Sequence, residues 1–145
     1  MDKKRYTGVL VKCGDKVLLC KRNNLGSFPG MWSIPGGKLE EGESTRHGAK
    51  REFFEETAVD IDKRDISFIG VIPRHTRDGM KVKGFMYVYL LETEEPINPD
   101  LANAIDGEEH TECKYFSKNE LDESSMGHYL YELANHILQK KFENN

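Results

Sequence analysis

The sequence predicts an α/β fold of the α/β/α sandwich type, a mixed β-sheet covered by helices on both faces. Three features lead there. One segment alternates with apolar residues on both of its faces, a helix-patterned stretch precedes it, and an amphipathic helical pattern closes the chain. In the first of these, Phe85, Tyr87, Tyr89 and Leu91 share one face while Met86, Val88 and Leu90 share the other, so both sides of that strand are covered. Hairpins between the helices make the sheet mixed rather than wholly parallel.

The elements follow in order. Tyr6 to Lys12 is a strand, Cys13-Gly14-Asp15 a turn, and Lys16 to Lys21 the partner strand. Arg22 to Gly30 is a loop, and Met31 to Ile34 is a short apolar piece stopped by Pro35-Gly36-Gly37. Beyond Gly42 the pattern turns helical, from the N-cap Ser44 to Thr57. Phe53 and Phe54 are expected to pack that helix on the sheet. Asp65 to Arg77 and Met80 to Glu92 are long strands around an Asp78-Gly79 turn. Thr93 to Glu109, with two prolines and several acids, is a surface loop. Thr111 to Phe116 is a short strand, and Ser117 with Glu120 forms a capping box. The last helix runs from Ser125 to Phe142 with an apolar stripe of Leu130, Leu133, Ala134, Ile137 and Leu138, and Lys140-Lys141 suit its C-terminal dipole.

The 145 residues suit one domain spanning 1–145. Lys and Arg number 21 against 25 Asp and Glu, a net charge of −4, which disfavours a large nucleic-acid interface. Apolar runs are only a few residues long, so no membrane span is expected, and the N-terminal segment lacks a signal-peptide pattern. Three cysteines, Cys13, Cys20 and Cys113, are odd in number and lack metal spacing. They read as reduced packing residues of a cytoplasmic protein.

The chemistry is concentrated in Gly37 to Val59. Glu52, Glu55 and Glu56 stand at i, i+3 and i+4, which places three carboxylates on one helical face. Each like-charge pair costs an isolated helix about 0.2–0.5 kcal/mol. Such a ridge suits a hard divalent cation, Mg²⁺ or Mn²⁺; a solvated acidic face paired with Lys50 and Arg51 is the plainer alternative. The five histidines, His47, His75, His110, His128 and His136, form no ligand pattern and read as surface or internally satisfied groups.

The stretch resembles the signature of the Nudix hydrolases, the MutT-type pyrophosphohydrolases. Gly37, Glu43, Arg51, Glu52, Phe53, Glu55, Glu56 and Val59 are in register with it, and Ala58 stands where the family has Gly. Trp32-Ser33-Ile34-Pro35-Gly36-Gly37 also resembles the family's approach to this loop. The resemblance implies water attack on phosphorus in a nucleoside diphosphate linked to another group. It implies Glu52, Glu55, Glu56 and the Gly36 carbonyl as metal ligands, with Gly36 and Gly37 supplying unusual dihedrals. Arg51 would orient a carboxylate, and Glu43 sits at the helix N-terminus, where the dipole favours it. Lys38 and Arg22 would contact phosphate. The general base is a box glutamate or an acid of the later loop, Glu108, Glu109 or Glu112, with Glu109 preferred. Left-handed backbone at Ala58 costs about 1 kcal/mol, or the helix runs on slightly.

The resemblance leaves the substrate open among a nucleoside triphosphate, a nucleotide sugar and a dinucleotide. Pro73, 14 residues past Val59, is a weak pointer to ADP-ribose. Phe28, Trp32 and Phe85 are able to stack a base. A small nucleotide is the expected partner, with no membrane; a homodimer is compatible with this. The rival readings are a non-catalytic Nudix-fold nucleotide sensor, against which the intact box acids speak, and a Ca²⁺- or Mg²⁺-storing domain. The latter lacks an Asp-rich calcium loop and leaves Pro35-Gly36-Gly37 unexplained.

Overall fold

The computed structural model describes residues 4–24, 28–76 and 78–143, with side chains described up to Gln139. Arg77 and the side chains of Lys140 and Lys141 therefore lie outside the described residues. The first hairpin is β1 (Lys4–Cys13) with β2 (Lys16–Arg22), followed by the short strands β3 (Trp32–Ser33) and β4 (Gly36–Lys38). Next come helix α1 (Thr45–Thr57), the long strands β5 (Ile66–His75) and β6 (Val82–Thr93), then β7 (His110–Ser117) and helix α2 (His128–Glu143).

The sheet runs β3-β2-β1-β6-β5, with β4 also on β1 and β7 also on β2. β1 and β6 are parallel; the other pairs are antiparallel. The central strands separate two apolar layers. Tyr6, Leu10, Val17, Leu19, Met86 and Val88 pack with Leu130, Ala134, Ile137 and Leu138 of α2. Val9, Val11, Leu18, Tyr89 and Leu91 pack with Ala49 and Phe53 of α1. The two-faced reading of β6 holds, and the fold is an α/β/α sandwich on a mixed sheet.

Three local expectations change. Phe53 is fully buried, but Phe54 is 42% exposed, because adjacent helical residues point about 100° apart. Gly36 to Lys38 is a strand, not only a turn. The last helix begins at His128 rather than Ser125, because Gly127 adopts φ +81° and Glu123–Ser125 close a separate 3-10 turn capped by the Asp122 side chain. No helix among the described residues is long and apolar enough to cross a membrane.

Cys20 and Cys113 stand directly opposite across β2 and β7 and are joined as a disulfide, while Cys13 is free. This corrects the expectation of three reduced packing cysteines. The pairing was invisible in sequence because the two residues are 93 positions apart.

Ser44 caps α1, accepting from the His47 N–H. At the other end Ala58 takes the left-handed conformation, φ 62° and ψ 15°, and its N–H bonds the Phe54 carbonyl. The helix therefore stops in a glycine-type turn occupied by alanine, the strained option of the two. Ala58→Gly should stabilise the protein by about 1 kcal/mol, a rise of about 2–4 °C in Tm. An unchanged or lower Tm in thermal melts would show that the turn carries no such strain.

Candidate active site

β1 shares one edge between two strands. β4 pairs with its Tyr6–Gly8 stretch and β2 with Val11–Cys13, so β4 enters as a wedge and the sheet forks. Glu56, 3% exposed, reaches from α1 into this fork. The Gly36 N–H donates to its Oε1 at 3.1 Å, and His110 Nδ1 lies 3.7 Å from the same oxygen. Gly36 and Gly37 are there for space rather than for unusual dihedrals, since neither has positive φ. A Cβ on Gly37 would lie 2.6 Å from the Glu52 carboxylate, and one on Gly36 2.3 Å from the Thr7 carbonyl oxygen.

Arg51 organises the acids around it. Its Nε and Nη2 donate to the two oxygens of Glu43 at 2.7 and 2.9 Å, and its Nη1 donates to Glu52 at 3.0 Å and Glu55 at 2.9 Å. Nη2 also donates to the Lys38 carbonyl oxygen at 3.1 Å. Arg51 thereby holds Glu43 below the usual carboxylate range, and the Glu43 pair in turn raises the arginine. The chief partner of Glu43 is thus Arg51 rather than the helix dipole. Lys50 does not join this group; it pairs with Asp60.

Burial acts the other way on the inner acids. Desolvation raises Glu52, with Arg51 opposing it. Glu56 is pushed up to about 10, first by burial and then by a hydrogen bond with, and the charge of, Glu109. Of the three loop acids it is Glu109 whose carboxyl meets Glu56 and whose charge reaches Glu52. Glu108 and Glu112 are exposed, and Glu112 pairs with Lys21 along β7. The loop before β7 is pinned to the end of α1, where the Asp100 N–H bonds the Thr57 carbonyl oxygen at 2.8 Å and the Asp106 N–H bonds that of Glu55 at 2.7 Å. Close packing of Gly107 on Leu101 completes the turn, leaving no room for a Cβ.

His110 was not singled out by its sequence neighbourhood. It is 5% exposed, and neither ring nitrogen has a hydrogen-bond partner among the described residues. Burial, and then Arg22, lowers it to about 4, so at neutral pH it is uncharged and its approach to Glu56 is not an ion pair. The signal lay in the pairing of His110 with Arg22 across β7 and β2, a contact between distant parts of the chain.

Lys38 ends β4 with an exposed side chain, beside Lys4. Arg22 ends β2 at a bulge and lines a cleft of about 320 Å³. Phe28 and Trp32 also line that cleft; Phe85 does not and is 39% exposed.

The carboxylates around the fork are hard oxygen donors, which suit Mg²⁺ or Mn²⁺. Among the described residues, however, no three histidine, cysteine or carboxylate groups already close around one point able to hold a metal ion. Arg51 engages one oxygen each of Glu52 and Glu55. Burial first, and then the closeness of Glu109 and Glu52, drives Glu56 toward its neutral form, and a divalent cation is what would let these acids ionise together.

Comparison with known proteins shows the family and the fold. The NUDIX domain model matches residues 2–135. The oxidized purine nucleoside triphosphate hydrolase of Mus musculus is 45% identical over 58 residues, 39% of this chain and 36% of its own length. The nucleoside triphosphatase NudI of Salmonella arizonae is 38% identical over 69 residues, 47% of this chain and 45% of its own. The match thus spans less than half the length of either relative. A MutT NUDIX hydrolase from Burkholderia pseudomallei superposes with a TM-score of 0.74 at 18% identity, over 94% of this chain and 98% of that one. A MutT/nudix family protein from Enterococcus faecalis gives 0.64 at 27% identity, over 81% and 44%.

The environment of Glu56 has a measurable consequence. Its folded-state pKa lies above the unfolded value, so the stability it contributes is full below about 4.5 and is lost as pH rises toward about 10. His110 has the opposite sign, its contribution being present above about 6.5 and lost as pH falls toward about 4. Between pH 7 and 9 the Glu56 effect therefore stands apart. Glu56→Gln, which keeps an oxygen for the Gly36 N–H, should raise Tm in EDTA, and by more at pH 9 than at pH 7. Parallel melting curves for the parent and the variant across that range would show that Glu56 is ionised at no cost.

Proposed function

The chain belongs to the Nudix hydrolase family, and from that premise we propose that it is a divalent-metal-dependent pyrophosphohydrolase. It splits the P–O–P link of a nucleoside diphosphate joined to another moiety and releases a nucleoside monophosphate. The observation that carries this reading is the meeting of Glu109 with Glu56, and its charge with Glu52, at the fork of the sheet. Carboxyl groups gathered in this way ionise together only with a cation among them, and an anhydride of phosphoric acid brings further negative charge that needs one too.

Glu52, Glu55, Glu56 and the Gly36 carbonyl would hold Mg²⁺ or Mn²⁺. Such an ion supplies charge neutralisation at the anhydride and acidifies water. The remaining work falls to the chain's own side chains. Arg51 keeps Glu52 and Glu55 in place. Glu109, exposed to solvent on one side and against Glu56 on the other, would take the proton of the attacking water, with Glu52 as the box alternative. Lys38 and Arg22 hold phosphate oxygens as the anhydride is presented to the carboxylates. The reacting groups sit on a packed helix and a sheet edge, so phosphorus is the atom attacked and the base and sugar stay intact.

A panel of nucleoside triphosphates, nucleotide sugars and dinucleotides, run in ¹⁸O-labelled water, tests this. Label should appear on a phosphate product, a nucleoside monophosphate should be released, and turnover should cease in a metal-stripped sample with excess EDTA. Label on a sugar carbon, release of free base, or full turnover in EDTA would each overturn the reading.

Glu56→Gln should also lower kcat at least about 10²-fold at saturating metal while leaving the fold intact. Parental turnover by this variant would remove Glu56 from the ligand set.

A further inference from the structure

We propose that Arg74 is a substrate-binding residue that hydrogen-bonds the phosphate attached to the nucleoside, between an apolar base cleft and the carboxylate fork. This rests on the hydrolase reading above, which assigns no role to Arg74.

Arg74 lies near the end of β5, half-buried, with its guanidinium 4.8 Å above the Tyr6 ring. Lys83 Nζ lies 5.6 Å from the same ring. Among the described residues the Arg74 guanidinium has no hydrogen bond and no ion pair; its contact is with the aromatic face. A guanidinium carries five N–H donors, and a ring face satisfies none of them. The Arg74 nitrogens stay within reach of solvent, and the oxygens of an anion entering the cleft take the place of water with stronger, charge-assisted hydrogen bonds. The neighbouring charges also favour an incoming anion, since Arg22 and Lys83 both act on this region as cations.

Its place in the molecule identifies the anion. Arg74 lines the cleft of about 320 Å³ together with the apolar side chains of Trp32, Ile34, Ile72, Met86 and Leu130. It also lies within electrostatic reach of the Glu56 carboxyl. It therefore stands where an apolar, aromatic-lined cavity gives way to the carboxylates. A nucleotide has the matching order, with a flat base, a first phosphate, and then the anhydride to be cut. With the base in the cleft and the anhydride at Glu56, the phosphate on the nucleoside lies against Arg74. A bidentate guanidinium–phosphate contact satisfies the donors that the fold leaves without acceptors.

Binding without catalysis separates this role from others. In EDTA, the dissociation constants of AMP, GMP, CMP and UMP are measured by calorimetry, and the tightest is compared with its own nucleoside. Arg74→Gln should weaken the monophosphate at least about tenfold and leave the nucleoside within about twofold. Arg74→Lys should recover part of the loss, and KM should rise more than kcat falls in turnover assays. Thermal melts of both variants report whether the fold is kept, and Arg74→Met retains the side-chain stem as a further control. Equal losses for monophosphate and nucleoside, an unchanged monophosphate affinity, or a parent that binds none of the four would overturn the assignment. A parent that binds monophosphate through Arg74 but hydrolyses none of the panel would instead overturn the hydrolase reading and leave Arg74 in place.

Discussion

Arg51 donates to both oxygens of Glu43 and, from its remaining nitrogen, to Glu52 and Glu55, so one planar cation spans three carboxylates. Without it the acidic face of α1 would carry only repulsion. The geometry explains why the position suits arginine rather than lysine, since an ammonium cannot present a two-pronged face to Glu43 and still reach two further acids. The same contacts keep Glu52 and Glu55 turned toward the N-terminal half of the helix. Glu56 stands apart from Arg51, one turn further into the protein, where burial governs its ionisation.

The apolar side of α1 makes this arrangement affordable. Phe53 is fully buried against Val9, Leu18 and Tyr89, and burial of such a side chain contributes about 1.5–3 kcal/mol. Like-charge pairs on the opposite side cost about 0.2–0.5 kcal/mol each in an isolated helix. Packing therefore outweighs the repulsion, and the helix holds its acids rigidly against the fork made by β4. The glycines of β4 complete the fit, because the Glu52 carboxylate and the β1 backbone occupy the space that Cβ atoms would need.

The other half of the site is brought in by long-range pairing. β7 lies on β2, which sets His110 against Glu56, the acid that Glu109 also meets. The Cys20–Cys113 link crosses the same strand pair, three residues along β7 from His110. β5 on β6 carries Arg74 to the Tyr6 ring from the opposite side of the sheet. Three separate strand pairings thus converge on a region that the local sequence marks only at the helix and at the Pro35-Gly36-Gly37 loop.

The sequence by itself determined the elements and one wall of the site. The alternation of β6, the Ser44 cap, the stripe of α2 and the i, i+3, i+4 spacing of Glu52, Glu55 and Glu56 are all short-range patterns, and local backbone geometry converts each directly into a face. Family resemblance added roles for those same residues and a preference for Glu109 among the loop acids. Tertiary structure decided which loop acid meets Glu56, that His110 is buried, that Cys20 faces Cys113, and that Arg74 lies in the cleft. Each of these depends on contacts between residues many positions apart, and neither helical nor strand periodicity carries information over such distances. Even at Ala58, where residue type spoke against a left-handed turn, packing of the whole helix end prevailed over local preference.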